Sequence, residues 1–389
     1  MRAVLGLKTA RPFDINGDGK IDLADVRAIF TGERHVPETD ENFLIKRVKQ
    51  LWGKHEHKFV LLSIAVQKRE KRGRSWLRSK LPFGDEKRVT AALNKVGVAL
   101  EDSELMIARE DYMACLSEIR KLKQQAADVR ASISMQPGES AKLQRTLDKL
   151  EAKIASTAET RIALLNAFRR RMDKYGVVLS TEQAEVLLSR IDAGDVTQMS
   201  SVFAVLSAMT AQFADAKRES GENIDVAKKY YAIYMGLLEL QMSIQTQYIS
   251  NVDTVYLPGV RKLGHEARGL LADTKAMIKG SSGEHRNAYR QNLSSQEFTV
   301  KVTEVYEDSL RADRSKVQEA QAVVQSIHQL AGNTLATVRV SSDLLNMMKS
   351  AETMLQEVLS LQTPELHPFE NLDLQREFEA VTMRLRQAA

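Results

Sequence analysis

At 389 residues the chain is longer than one ordinary domain, and with 43% hydrophobic residues it has enough apolar side chains for a buried core. Charged residues make up 28% and aromatics 6%, the balance of amphipathic helices that meet along narrow apolar seams. The net charge of +5 excludes a general polycation, so any affinity for nucleic acid or anionic lipid must come from a local cluster. The lone Cys115 excludes an internal disulfide and fits a reducing compartment.

Met1 to Phe13 holds no apolar run of the length a signal-peptide core needs. The longest apolar stretch, Phe59 to Val66, is far short of the about 20 residues that span a bilayer. The expectation is a cytoplasmic protein that does not span a membrane.

The first chemically specific feature is residues 14–25, Asp-Ile-Asn-Gly-Asp-Gly-Lys-Ile-Asp-Leu-Ala-Asp. Oxygen-bearing side chains stand at loop positions 1, 3, 5, 9 and 12, with glycine at position 6. A hard cation takes about six to eight oxygens, and that glycine lets both halves of a short loop face one ion. Asp14, Asn16, Asp18 and Asp25 are expected as direct Ca2+ ligands, Lys20 through its carbonyl, and Asp22 directly or through water.

Phe13 to Thr31 resembles the EF-hand family, and more closely its dockerin-type variant, whose loop closes on Asp as it does here at Asp25. Pro12 stands where an entering helix would end, so the resemblance implies only an exiting helix, Leu23 to Phe30. Dockerins pair their loops, and no second loop matches here. An unpaired loop closed by Asp implies modest affinity, suited to a structural ion or a slow sensor, and the alternative reading is an acidic turn that caps a helix without metal.

Residues 35–100 read as a small basic region of short helices. His55-Glu56-His57, following Gly53, lacks the spacing of a helical zinc site and reads as an exposed pair. Lys68, Arg69, Lys71, Arg72, Arg74, Arg78 and Lys80 oppose a single Glu70, with Trp76, Leu77, Leu81 and Phe83 close by. Three readings stay open: a solvated linker, a contact with an anionic membrane surface or acidic partner, and, last among them, nucleic acid.

From Leu105 to Ile133 the residues Leu105, Ala108, Tyr112, Cys115, Ile119 and Leu122, then Ala126, Val129 and Ile133, keep the three-and-four spacing of a coiled-coil seam. The stripe breaks around Pro137-Gly138 and resumes at Leu143, Leu147, Leu150, Ile154 and Thr157. Residues 101–175 are therefore expected as an antiparallel coiled-coil hairpin with arms of roughly 50 Å. Cys115 sits on its seam as an apolar filler.

Tyr175-Gly176 ends the second arm, and Ser180 with Gln183 reads as a capping box. Shorter helices at about 195–218, 223–254 and 259–279, the last opening after Pro258, form a helical bundle over 176–280, with Tyr230, Tyr231, Tyr234 and Tyr248 as its aromatic core. Asp192 and Asp195 read as a helix end and the next N-cap. Residues 281–362 read as one very long helix whose seam runs from Val317 to Met348, although Gly332-Asn333 could kink it. A last amphipathic helix falls within 363–389.

The fold class expected is all-α, with 1–34 as the calcium loop. No catalytic constellation stands out, so the leading expectation is a non-enzymatic scaffold making protein contacts or self-associating through coiled coils. A second reading is a peripheral membrane protein docking through residues 66–83, similar in texture, though in no motif, to cytoplasmic phage-shock or toxic-anion-resistance helical proteins. A helical pore-forming toxin is a third, for which Phe59 to Val66 is short.

Overall fold

The computed structural model describes residues 41–73, 83–135, 140–219, 224–280, 283–337, 369 and 372–388. The chain is all-α, and no strand occurs among the described residues. The helices are α1 (Glu41–Gly73), α2 (Phe83–Leu100), α3 (Ser103–Met135), α4 (Ser140–Lys174) and α5 (Thr181–Ser189). They continue as α6 (Ala193–Glu219), α7 (Ile224–Asn251), α8 (Leu257–Gly280), α9 (Gly283–Thr337) and α10 (Leu372–Ala388). The calcium-type loop and residues 338–362 of the expected long helix lie outside the described residues.

These helices fall into two compact units. The first takes its described residues from 41–101, 174–178 and 195–337, the second from 102–173, 179–194 and 369–388.

In the first unit, α1 is a 33-residue helix where short helices were expected. Gly53 does not interrupt it, since one glycine costs a long helix only about 1 kcal/mol. Its seam is Val48, Leu51, Phe59, Leu62 and Val66, three- and four-residue steps once half-buried His55 fills the gap between Leu51 and Phe59, and α2 answers with Val89, Leu93, Val96 and Leu100. Arg47 of α1 donates to the carbonyls of Leu100 and Glu101, satisfying orphan acceptors at the end of α2.

The largest departure from the sequence reading lies at Pro258. Instead of separate short helices, α7 and α8 join through a π-helical turn, Val252–Tyr256, into one uninterrupted rod. A proline inside an α-helix lacks a donor and clashes with the carbonyl four residues back. The wide turn resolves this: the Leu257 N–H reaches Val252 five residues back, and the chain passes Pro258 without a break.

Helix α9 runs for 55 residues, roughly 80 Å, and stays helical through Gly332-Asn333. Its inner seam begins at Val302, well before Val317, and continues through Tyr306, Leu310, Val317, Ala320, Val324, Ile327 and Ala331. Successive cross-links pair it with the rod in reverse order: Lys275–Glu297, Arg268–Glu304, Arg261–Glu307, Asp253–Arg314 and Glu239–His328. Such reversal is what two antiparallel helices require. Most of these pairs are exposed and set register more than stability.

In the second unit α3 and α4 pair in the same reversed order, through Asp102–Arg171, Glu118–Lys153 and Arg130–Glu151. The sequence stripe is the face that is buried or half-buried, from Leu105 and Tyr112 through Leu122 and Ala126. Cys115 is only half-buried, and partial burial followed by the nearby Asp111 charge raises its thiol pKa, so it stays a thiol.

Helix α4 ends before Gly176, whose φ of 83° is the left-handed turn that glycine supplies without strain. The capping box is present: the Ser180 hydroxyl accepts from the Gln183 N–H at 3.1 Å, and the Gln183 side chain accepts from the Ser180 N–H at 2.9 Å. Helix α10 buries Phe378, Val381 and Leu385, and Thr382 donates to the Ser189 carbonyl at 2.6 Å, fixing α10 against α5.

Candidate functional site

Asp14, Asn16, Asp18, Lys20, Asp22 and Asp25 lie outside the described residues, as do Arg74, Trp76, Arg78 and Lys80. Lys68, Arg69, Lys71 and Arg72 fall on the last turns of α1. Among the described residues no group of three His, Cys, Asp or Glu side chains is placed to hold a metal, and no helix is long and apolar enough to cross a membrane.

Several sequence candidates acquire definite settings. His57 is exposed, but His55 is half-buried on the α1 seam between Leu51 and Phe59, correcting the exposed pair. Burial, with the Lys58, Lys54 and His57 charges, lowers the His55 pKa. Asp192 is buried and grips Arg190 through two bonds of 2.8 and 2.7 Å. Asp195 lies inside the first turn of α6, not at its N-cap, and accepts from Asn251 at 2.9 Å and Tyr256 at 2.8 Å. Tyr234 and Tyr248 are buried, and the side chains of Tyr230 and Tyr231 lie outside the described residues.

Among the described residues, two of the larger clefts offer room for a ligand. In the second unit a cleft of about 850 Å³ opens between α3, α4, α5 and α10. Leu116, Ile119, Ile154 and Met383 line its apolar side. At its polar side Arg161 lies 3.6 Å from Glu185 and donates to the Tyr112 hydroxyl at 3.4 Å, while Gln375 donates to both Glu185 and Glu379. Glu379 is half-buried, and desolvation raises its pKa despite the opposing pull of Gln375 and Arg161. This arrangement holds a proton on Glu379 more tightly than a solvated glutamate would.

In the first unit a groove of about 750 Å³ runs along the outside of the α1–α2 pair. Leu61, Ile64, Ala65, Ala91 and Ala92 form its floor, and His57, Lys58, Arg88 and Lys95 stand along it. In the sequence the basic residues beyond this groove stand out, while Phe59 to Val66 reads as a single apolar run. The helical period divides that run, since Phe59, Leu62 and Val66 turn inward while Leu61 and Ile64 are 55% and 41% exposed.

No family model, no curated protein and no solved structure matches this chain.

Proposed function

We propose that the chain is a non-enzymatic, calcium-binding helical scaffold. In this reading α3–α4 is a coiled-coil hairpin arm, α7–α9 is a long paired element within a helical bundle, and both present extended faces to partner chains or to further copies.

The observation that carries the proposal is a second apolar stripe outside the inner seams. Val305, exposed Ala312 and Val323 recur on one face of α9 at intervals of seven and eleven residues, two and three helical turns. On α8, Leu263 and the 58% exposed Leu270 are likewise two turns apart. Since the inner seams are already filled by the chain's own helices, an outer stripe at helical repeat suits a further helix.

Sedimentation velocity over a hundredfold concentration range tests the self-association arm. The expected result is a mass that rises with concentration and falls back in a Leu270→Glu, Val323→Glu double variant. A constant monomer mass removes self-association, and failure to capture any partner from the native host, with calcium or with chelator, then removes the scaffold reading itself.

A further inference from the structure

The outward face of the α1–α2 pair is apolar along its middle and cationic along its edges. Leu61 and Ile64 are exposed there although the same helix buries Phe59, Leu62 and Val66 almost completely. The alanines at 91 and 92 keep the α2 side low, which leaves the groove open between Lys58 on one helix and Arg88 and Lys95 on the other. Charge is concentrated on this element. Residues 41–100 hold fifteen Lys and Arg against five Asp and Glu, a net +10, whereas the whole chain is +5, so the remainder is −5.

We infer that this groove is a docking surface for an anionic membrane leaflet, with Leu61 and Ile64 entering the interface while Lys58, Arg88 and Lys95 lie at the lipid headgroups. A nucleic-acid backbone would satisfy the cations but gain nothing from an apolar floor. An acidic amphipathic helix would match the groove alone. The leaflet is favoured because the same chemistry continues beyond the groove in the sequence: seven Lys and Arg between Lys68 and Lys80 are interleaved with Trp76 and Leu77. A run of that length suits a continuous charged surface, and tryptophan suits its apolar boundary.

Flotation of the full chain tests this on vesicles of phosphatidylcholine alone and of phosphatidylcholine with phosphatidylserine. Binding is expected only to the anionic vesicles and should weaken as salt shortens the screening length. Neutralising Lys58, Arg88 and Lys95 to Gln should weaken partition by about fivefold per cation. Leu61→Ser with Ile64→Ser should weaken it further. All five side chains are exposed or half-buried, so circular dichroism should show unchanged helix content.

A third variant, with Arg74, Arg78 and Lys80 changed to Gln, separates the groove from the segment that joins the two helices. Wild-type chain that stays with the protein fraction overturns the proposal, whether or not it binds an acidic helical peptide. So does binding that is lost in the third variant and unchanged in the two groove variants.

Discussion

Asp102 and Arg171 close the open end of the α3–α4 pair. The Asp102 carboxylate accepts from the N–H groups of Glu104 and Leu105 at 3.1 and 3.3 Å, as a helix cap does, and its other oxygen takes the Arg171 Nε–H at 2.6 Å. Its side chain is 2% exposed and that of Arg171 20% exposed, so cap and ion pair are largely shielded from water. Asp102→Ala should therefore destabilise the second unit by about 3 kcal/mol, through loss of the two cap bonds and of the shielded ion pair, although Arg171 keeps Glu104 at 3.0 Å. Urea unfolding of the full chain, followed by the transition of that unit, measures it. Arg171→Met should cost less, because the cap survives, and an equal loss in the two variants would show that the cap contributes nothing.

Gly264 and Gly269 lie on the same helix in opposite circumstances. A Cβ on Gly264 would stand 3.0 Å from the Thr303 hydroxyl of α9, whereas one on Gly269 would meet nothing within 4 Å. Alanine at position 269 should stabilise the first unit by about 1 kcal/mol through helix propensity alone. At position 264 the same gain is opposed by overpacking, which costs about 1 to 3 kcal/mol, so Gly264→Ala should be neutral or destabilising. Thermal unfolding of the two variants side by side gives the comparison, and Thr303→Ala added to Gly264→Ala should restore the propensity gain. Equal stabilisation at both positions would mean that α8 and α9 do not approach this closely.

What the sequence disclosed follows from the range of the interactions involved. The capping box at Ser180 and Gln183 and the left-handed turn at Gly176 are set by neighbouring residues, and both are where local rules place them. The apolar stripe from Leu105 to Ile133 is visible because a helix repeats its own faces. Pro258 misleads, because a proline ordinarily ends a helix and nothing nearby announces the wider turn that accommodates it. The pairing of α7 and α8 with α9 rests on partners such as Glu239 and His328, far apart in sequence, with no local signal. The cleft around Glu379 is hidden for the same reason: Ser189, which donates to Glu379, and Glu185, which accepts from Gln375, lie on a helix about 190 residues away. Leu61 and Ile64 could be called apolar from sequence, but only a known position for α2 shows which side of α1 they occupy.

The calcium assignment is testable without reference to either unit. Asp14→Ala with Asp18→Ala removes two of the direct oxygen ligands at loop positions 1 and 5. Isothermal calorimetry should show a calcium heat for the wild-type chain and none for this variant. Helix content by circular dichroism should be nearly the same in both, because the loop lies apart in sequence from every buried seam described here. A wild-type chain with no heat at millimolar calcium would make the loop an acidic turn.

Glu379 supplies the pH dependence. Burial raises its pKa in the folded chain, with Glu185 adding in the same direction and Gln375, Arg161 and Arg120 opposing. A carboxyl whose folded pKa lies above its unfolded value binds its proton more tightly when folded, so folding is favoured while the proton is present. That contribution is intact below the ordinary glutamate value, and it is lost as pH rises from there through the raised value. Above this window the folded unit carries a half-buried, incompletely compensated carboxylate. Glu379→Gln keeps an acceptor for Gln375 but removes the charge, so it should unfold at a higher temperature than wild type at pH 7. The difference should shrink as pH falls below the ordinary glutamate range. Melting curves between pH 4 and pH 8 decide the sign: a variant less stable than wild type at pH 7 would mean that Arg161 and Arg120 more than offset the desolvation of this carboxylate.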